Sequence, residues 1–143
     1  MTQTVADPPV RDQVVIDASA VVAMLVAAAP NGAWVADAVR GYRLAAPTLL
    51  PYVVASTLRT LVRTLPLDRA LAAQALRELD GLPIAYTPFA PLADRIWSLR
   101  ENLTAYDAAY VSLAELLQCP LVTLDARIAT APGLQCEIRA YPG

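Results

Sequence analysis

The sequence predicts an α/β domain in which a central, mainly parallel sheet is covered by helices on both faces. Three observations carry this expectation. Short apolar, β-branched runs alternate with longer Ala- and Leu-rich stretches, the pattern of strands joined by helical crossovers. Pro, Gly and Asn punctuate the chain between them, as in Pro30-Asn31-Gly32. The chain is 143 residues long, enough for one domain with a real core, and it shows neither internal repeat nor low-complexity linker.

Residues 1–12 carry two prolines and polar side chains and read as a flexible leader, leaving 13–143 as the domain. Gln13-Val-Val-Ile16 is β-branched and apolar, a buried strand that ends at Asp17. Ala18 to Ala29 reads as a helix stopped by Pro30, and Ala33 to Arg40 as a second helix with Gly41 beyond its end. Tyr42 to Ala46 is the second strand. Pro51 sits near the start of the next helix, where proline is tolerated, and that helix runs to about Leu65. Asp68 is placed to cap a helix that ends near Gly81. Pro83 to Thr87 is a third strand, Leu92 to Glu101 a helix, and Thr104 opens a further helix to about Gln118. Leu121 to Leu124 is the fourth strand, Asp125 opens a short helical turn, and Cys136 to Tyr141 is a last strand at an edge of the sheet.

Composition removes several chemistries. The chain has no His, which excludes Ser-His-Asp and Cys-His catalysis and His-based zinc sites. It has no Lys, so all 11 basic residues are Arg and any anion contact must use guanidinium. Arg59 and Arg63 share a helix face by spacing, which a solvated surface also explains. A net charge of −2 advertises no nucleic-acid binding by bulk charge. Cys119 and Cys136 match no metal spacing and read as buried thiols. The longest apolar run, Val21 to Ala29, is too short to span a bilayer, and the N-terminus shows no secretory pattern. The expectation is a cytoplasmic protein without a membrane segment.

In a sheet of this kind, sites form beyond the carboxyl ends of the strands. Asp17 follows the first strand, Asp125 follows the fourth, and Asp107 lies in the first turn of the helix opened by Thr104. Each has a plain structural use: Asp17 and Asp125 as helix caps, and Thr104 with Asp107 at capping-box spacing. Three acids at one edge also suit a divalent cation, because bare carboxylates repel and an ion between them removes the conflict. An oxygen-only set without His or paired Cys suits magnesium or manganese, not zinc.

Three segments resemble the PIN domain, and within it the VapC toxins of bacterial toxin–antitoxin pairs. Val14-Val-Ile-Asp-Ala-Ser-Ala20 is similar to that family's first-strand motif. Leu103-Thr-Ala-Tyr-Asp-Ala-Ala-Tyr-Val-Ser-Leu-Ala-Glu115 resembles its third-acid helix, and Leu121-Val-Thr-Leu-Asp-Ala-Arg127 its fourth-acid strand end. The resemblance implies a three-layer α/β/α domain and a Mg2+-dependent (or Mn2+-dependent) endoribonuclease. It makes Asp17, Asp107 and Asp125 catalytic and metal-binding acids, and Ser19 a supporting or substrate-binding hydroxyl. It also implies an RNA substrate, a cognate VapB-like antitoxin and a homodimer.

One position departs from the family. Its second acid is usually a Glu in a Pro-Tyr-Glu-Val-Ala segment, whereas this chain reads Pro51-Tyr-Val-Val-Ala55, with Val53 at the acid position. The nearest acids along the chain, Asp37 and Asp68, are too distant for a simple shift. The expectation is therefore an impaired nuclease. The alternative is a catalytically silent PIN-like module that binds an antitoxin and RNA. A receiver-like regulatory domain also clusters Asp at strand ends, but the absence of Lys counts against it.

Overall fold

The computed structural model describes residues 12–26, 31–64 and 67–143; all but the last residue of the expected leader, and the ends expected for the first and third helices, lie outside them. β1 (Gln13–Ile16) enters helix α1 (Ala18–Val26), followed by α2 (Asn31–Val39) and β2 (Arg43–Pro47). α3 (Leu50–Thr64) and α4 (Arg69–Gly81) lead to β3 (Ile84–Thr87). α5 (Ala93–Ser98) and α6 (Ala105–Leu117) precede β4 (Leu121–Thr123), α7 (Ala126–Thr130) and β5 (Ile138–Ala140).

All five strands are parallel, in the order β3-β2-β1-β4-β5. The central strands are closed to solvent: Val14, Val15 and Ile16 of β1, and Leu121, Val122 and Thr123 of β4, have no exposed surface. That is why both read as continuous apolar runs rather than alternating ones. β3 and β5 are the edges, and their residues are less buried. On one face α1 packs on α2, α3 and α4; α5 and α6 pack together, with α6 over β1 and β2. α6 is buried from Ala108 through Ala114, and its alanines let it lie close to the sheet.

The chain reverses its direction of travel across the sheet after β3, so β1 and β4 are neighbours although their connections run opposite ways. This is the topological switch point at which α/β sheets open a crevice. A receiver-like order would be 2-1-3-4-5, so the receiver reading is corrected by the topology.

Local differences from expectation have local causes. The helix expected over Leu92 to Glu101 is a single 3-10 turn, Ala90–Leu92, followed by α5 alone. After Ser98 the amides of Arg100 and Asn102 bond three residues back, to Trp97 and Leu99, and tighten the chain into turns. β3 begins after Pro83, which has no amide to give to a ladder. The last strand contracts to Ile138–Ala140. The caps hold as expected: Asp68 accepts from the Ala70 amide, Thr104 from Asp107 and Asp125 from Arg127. Gln118 ends α6 in the left-handed conformation at φ 55°, where its amide reaches the carbonyls of Ala114 and Glu115.

The core between the sheet and its helices is apolar and needs no ion to form; of the three acids Asp17 is buried at its margin and Asp107 and Asp125 are only partly buried. The protein should therefore fold without bound metal. Chelation with EDTA is expected to leave helix content and the cooperative thermal transition unchanged; loss of that transition would contradict it.

Candidate active site

Asp17 is the buried centre of the β1–β4 edge, with only 4% of its surface exposed. Its Oδ1 accepts from Ser19 Oγ at 2.7 Å and from the Ala20 amide at 3.0 Å, which caps α1. Its other oxygen accepts from Thr123 Oγ1, at the end of β4. The two hydroxyls are bridges. Thr123 Oγ1 also accepts from the Asp125 amide at 2.9 Å, and Ser19 Oγ from the Leu124 amide at 3.0 Å. Ser19 thus has its proton and a lone pair engaged within the chain.

Asp125 caps α7 and is gripped by Arg127, whose Nη2 and Nε donate to its two oxygens at 2.8 and 3.1 Å. That guanidinium holds the Asp125 carboxyl below its ordinary range. Arg127 itself faces solvent. Asp107, at the third position of α6, makes no salt bridge among the described residues. Burial raises its pKa, the charge of Asp125 raises it further, and Arg127 works the other way. Burial likewise raises Asp17, against the pull of Thr123, Ser19 and Ala20, and Asp125 adds repulsion. The three acids thus stand at one edge and two of them feel the charge of the third.

Two participants were missed from sequence. Thr123 reads there as an ordinary strand residue; its position two before Asp125, at a strand end, is the available signal. Tyr110 lies three residues after Asp107, on the same helix face. It is buried, and its hydroxyl has no hydrogen-bond partner among the described residues. Burial and the charges of Asp17 and Asp107 push its ionisation well above the ordinary range. Val53 sits in the first turn of α3, half-buried against the core.

The donor set is hard oxygen throughout, which matches magnesium or manganese in kind. In number it is short: among the described residues no group of three or more His, Cys, Asp and Glu side chains is placed to hold a metal ion. Magnesium tolerates such a set better than most cations, because it is commonly held by one or two carboxylates and keeps several waters.

The comparisons with known proteins agree with the topology. The PIN domain family model matches residues 14–134. "VapC ribonuclease Mb0985" of Mycobacterium bovis is 39% identical over 129 residues, covering 90% of this chain and 98% of its own length. Ribonuclease VapC1 of Mycobacterium tuberculosis is 39% identical over 132 residues, covering 90% and 97%. The crystal structure of PAE2754 from Pyrobaculum aerophilum matches with a TM-score of 0.63 at 28% identity, over 89% of this chain and 83% of that one.

The raised Asp17 carboxyl has a measurable consequence. The native state keeps this proton to higher pH than the unfolded chain, whose value is near 3.8. Stability from this group is therefore lost as pH rises from about 4 through the raised native value. Asp17→Asn carries no charge, so its stability relative to the native chain should grow across that window, by about 1.4 kcal/mol per unit of upward shift. Urea unfolding of both proteins at several pH values checks this; a difference independent of pH would contradict it.

Proposed function

The chain belongs to the PIN domain family, among the VapC-type ribonucleases, and from that premise we propose that it is an endoribonuclease toxin dependent on Mg2+ or Mn2+ and impaired by Val53. What supports this reading is that Asp17 and Asp107 both feel the charge of Asp125 beside the β1–β4 switch point, in a chain that the PIN family model matches over residues 14–134. Of Asp17, Asp107 and Asp125, one or two would hold the cation directly and the rest through its waters. When bound, it supplies a Lewis acid for a phosphoryl oxygen and a more acidic water.

The chain's own residues have separable tasks in that reaction. Thr123 and Ser19 fix the Asp17 carboxylate, so it need not reorganise when charge arrives. Asp107, without an ion pair of its own, is the acid most open to a new cation. Arg127 is an exposed guanidinium at the site; its Nε and Nη2 hold Asp125, which leaves Nη1 to reach a phosphate oxygen. With a net charge of −2 and no Lys, the surface lends RNA little general attraction.

Partners follow from the same reading. A VapB-like antitoxin would cover the toxin, and the site of action would be the cytoplasm. A homodimer is part of the proposal. Phe89 and Tyr106 are large, exposed and line one apolar groove together with Leu92 and Ile96, the kind of surface that marks an interface. Among the described residues no single helix is long and apolar enough to cross a membrane.

A second reading is favoured by Val53 itself: a catalytically silent PIN-like module that binds an antitoxin and RNA without cleaving. Valine can neither ligate a cation nor orient its water. It also removes one anion from a repelling group, which favours the metal-free fold.

Restoring the acid separates the two. Val53→Glu is expected to raise cleavage of a mixed RNA pool by ~10–100-fold, the usual cost of one ligand-orienting group, and to lower the magnesium or manganese concentration needed. Equal activity in both chains would show that Val53 does not occupy the acid position or that three aspartates suffice. Activity in neither would favour the silent module.

A further inference from the structure

The end of the sheet opposite the acids holds both thiols of the chain. Cys119 lies two residues before β4 and Cys136 two residues before β5. These strands pair in parallel with Leu121 opposite Ile138. The Leu121 amide bonds the Glu137 carbonyl at 2.9 Å, so the pairing reaches back to Glu137. Cys119 and Cys136 lie just outside the strands, each two residues before the Leu121–Ile138 pair, and are near enough for the charge of one to act on the other. Paired positions on adjacent parallel strands point to the same face, with the strands ~4.8 Å apart. That lies within the Cα separation of ~4.4–6.8 Å that a disulfide requires.

Side-chain observations agree with the register. Both cysteines line one cavity of about 550 Å3, with Glu115, Gln135 and Glu137 among its walls. Each thiol is free, Cys119 buried and Cys136 partly open to solvent. The backbone just before Cys136 is pinned: Glu115 accepts from the Gln135 amide at 2.7 Å while Arg95 grips the same carboxylate and donates to the Gly133 carbonyl.

We propose that Cys119 and Cys136 are a reversible modification site that closes to an intramolecular disulfide when a peroxide is the oxidant. The Cys136 sulfur, the more accessible one, attacks a peroxide oxygen; the O–O bond breaks, water leaves and a sulfenic acid remains. The Cys119 sulfur then attacks that sulfur, the S–S bond forms and a second water departs with the remaining thiol hydrogen. Two electrons pass from the thiols to the peroxide.

The surroundings set the pace and the consequence. Burial pushes both thiols up, Cys136 to about 11, with the charges of Glu115 and Cys119 adding to it. Reaction at neutral pH is therefore slow and accelerates as pH rises and the thiolate fraction grows. The bridge would close the stretch 119–136, which contains β4, Thr123 and Asp125. A covalent staple at the base of β4 would thus restrain the strand whose far end holds Asp17 through Thr123.

The test uses the full chain treated with hydrogen peroxide at mildly alkaline pH, digested without reduction and mapped by mass spectrometry. The expected result is one monomeric species lighter by two hydrogens, with the Cys119 and Cys136 peptides joined. Its thermal midpoint should rise by several degrees, and dithiothreitol should reverse both changes. Cys136→Ser should abolish the rise. Both cysteines ending as separate sulfinic acids, or cross-links only between chains, would overturn the proposal. The peptide map of the native chain decides the matter even if the variant folds poorly.

Discussion

The hydrogen bond from Thr123 to Asp17 joins the ends of two strands that are adjacent in the sheet and 106 residues apart in the chain. A carboxylate this deeply buried would be costly without donors. Asp17 finds them in Thr123, Ser19 and the Ala20 amide. Those donors come from the first turn of α1 and the last residue of β4. The requirement to satisfy one buried acid therefore fixes where α1 starts, where β4 stops and where Asp125 emerges. The Ser19 contact to the Leu124 amide closes the same ring from the other side.

That ring carries an electrostatic conflict. Asp17 and Asp107 are pushed toward the neutral form by burial and by Asp125, while Asp125 stays charged because Arg127 holds it. The same guanidinium also works against the rise at Asp107. A cation placed among these carboxylates would relieve the repulsion between them. A fourth carboxylate at position 53 would sharpen both the repulsion and that relief. Val53 is half-buried against apolar neighbours and brings no charge there.

Much of this was legible in the order of residues. Continuous apolar runs marked β1 and β4 because both faces of a central parallel strand are buried. Asp68, Thr104 and Asp125 announced helix starts because a short polar side chain there meets an unpaired amide. Asp17 and Asp125 drew attention because they follow strands, and Asp107 because it lies in the first turn of the helix that Thr104 caps. The strand order was not legible, since crossover length does not say on which side the next strand is laid, and it is that order which excludes a receiver-like sheet. Thr123 and Tyr110 were passed over because their parts in the site depend on neighbours brought in by folding. The nearness of Cys119 and Cys136 was hidden for the same reason: it follows from the pairing of β4 with β5, before whose first residues the two thiols lie.

The central claim is that Asp17, Asp107 and Asp125 act as one cation-binding edge at the β1–β4 switch point. Paramagnetic broadening by manganese reads this directly and remains sensitive when binding is weak. Titrating Mn2+ into the amide-resolved NMR spectrum of the native chain should bleach signals near Asp17, near Asp107 and from Thr123 to Arg127 at a common concentration. Signals around Cys119 and Cys136, at the opposite end of the sheet, should persist. Broadening at one acid alone, or at scattered surface carboxylates with these three untouched, would contradict the account.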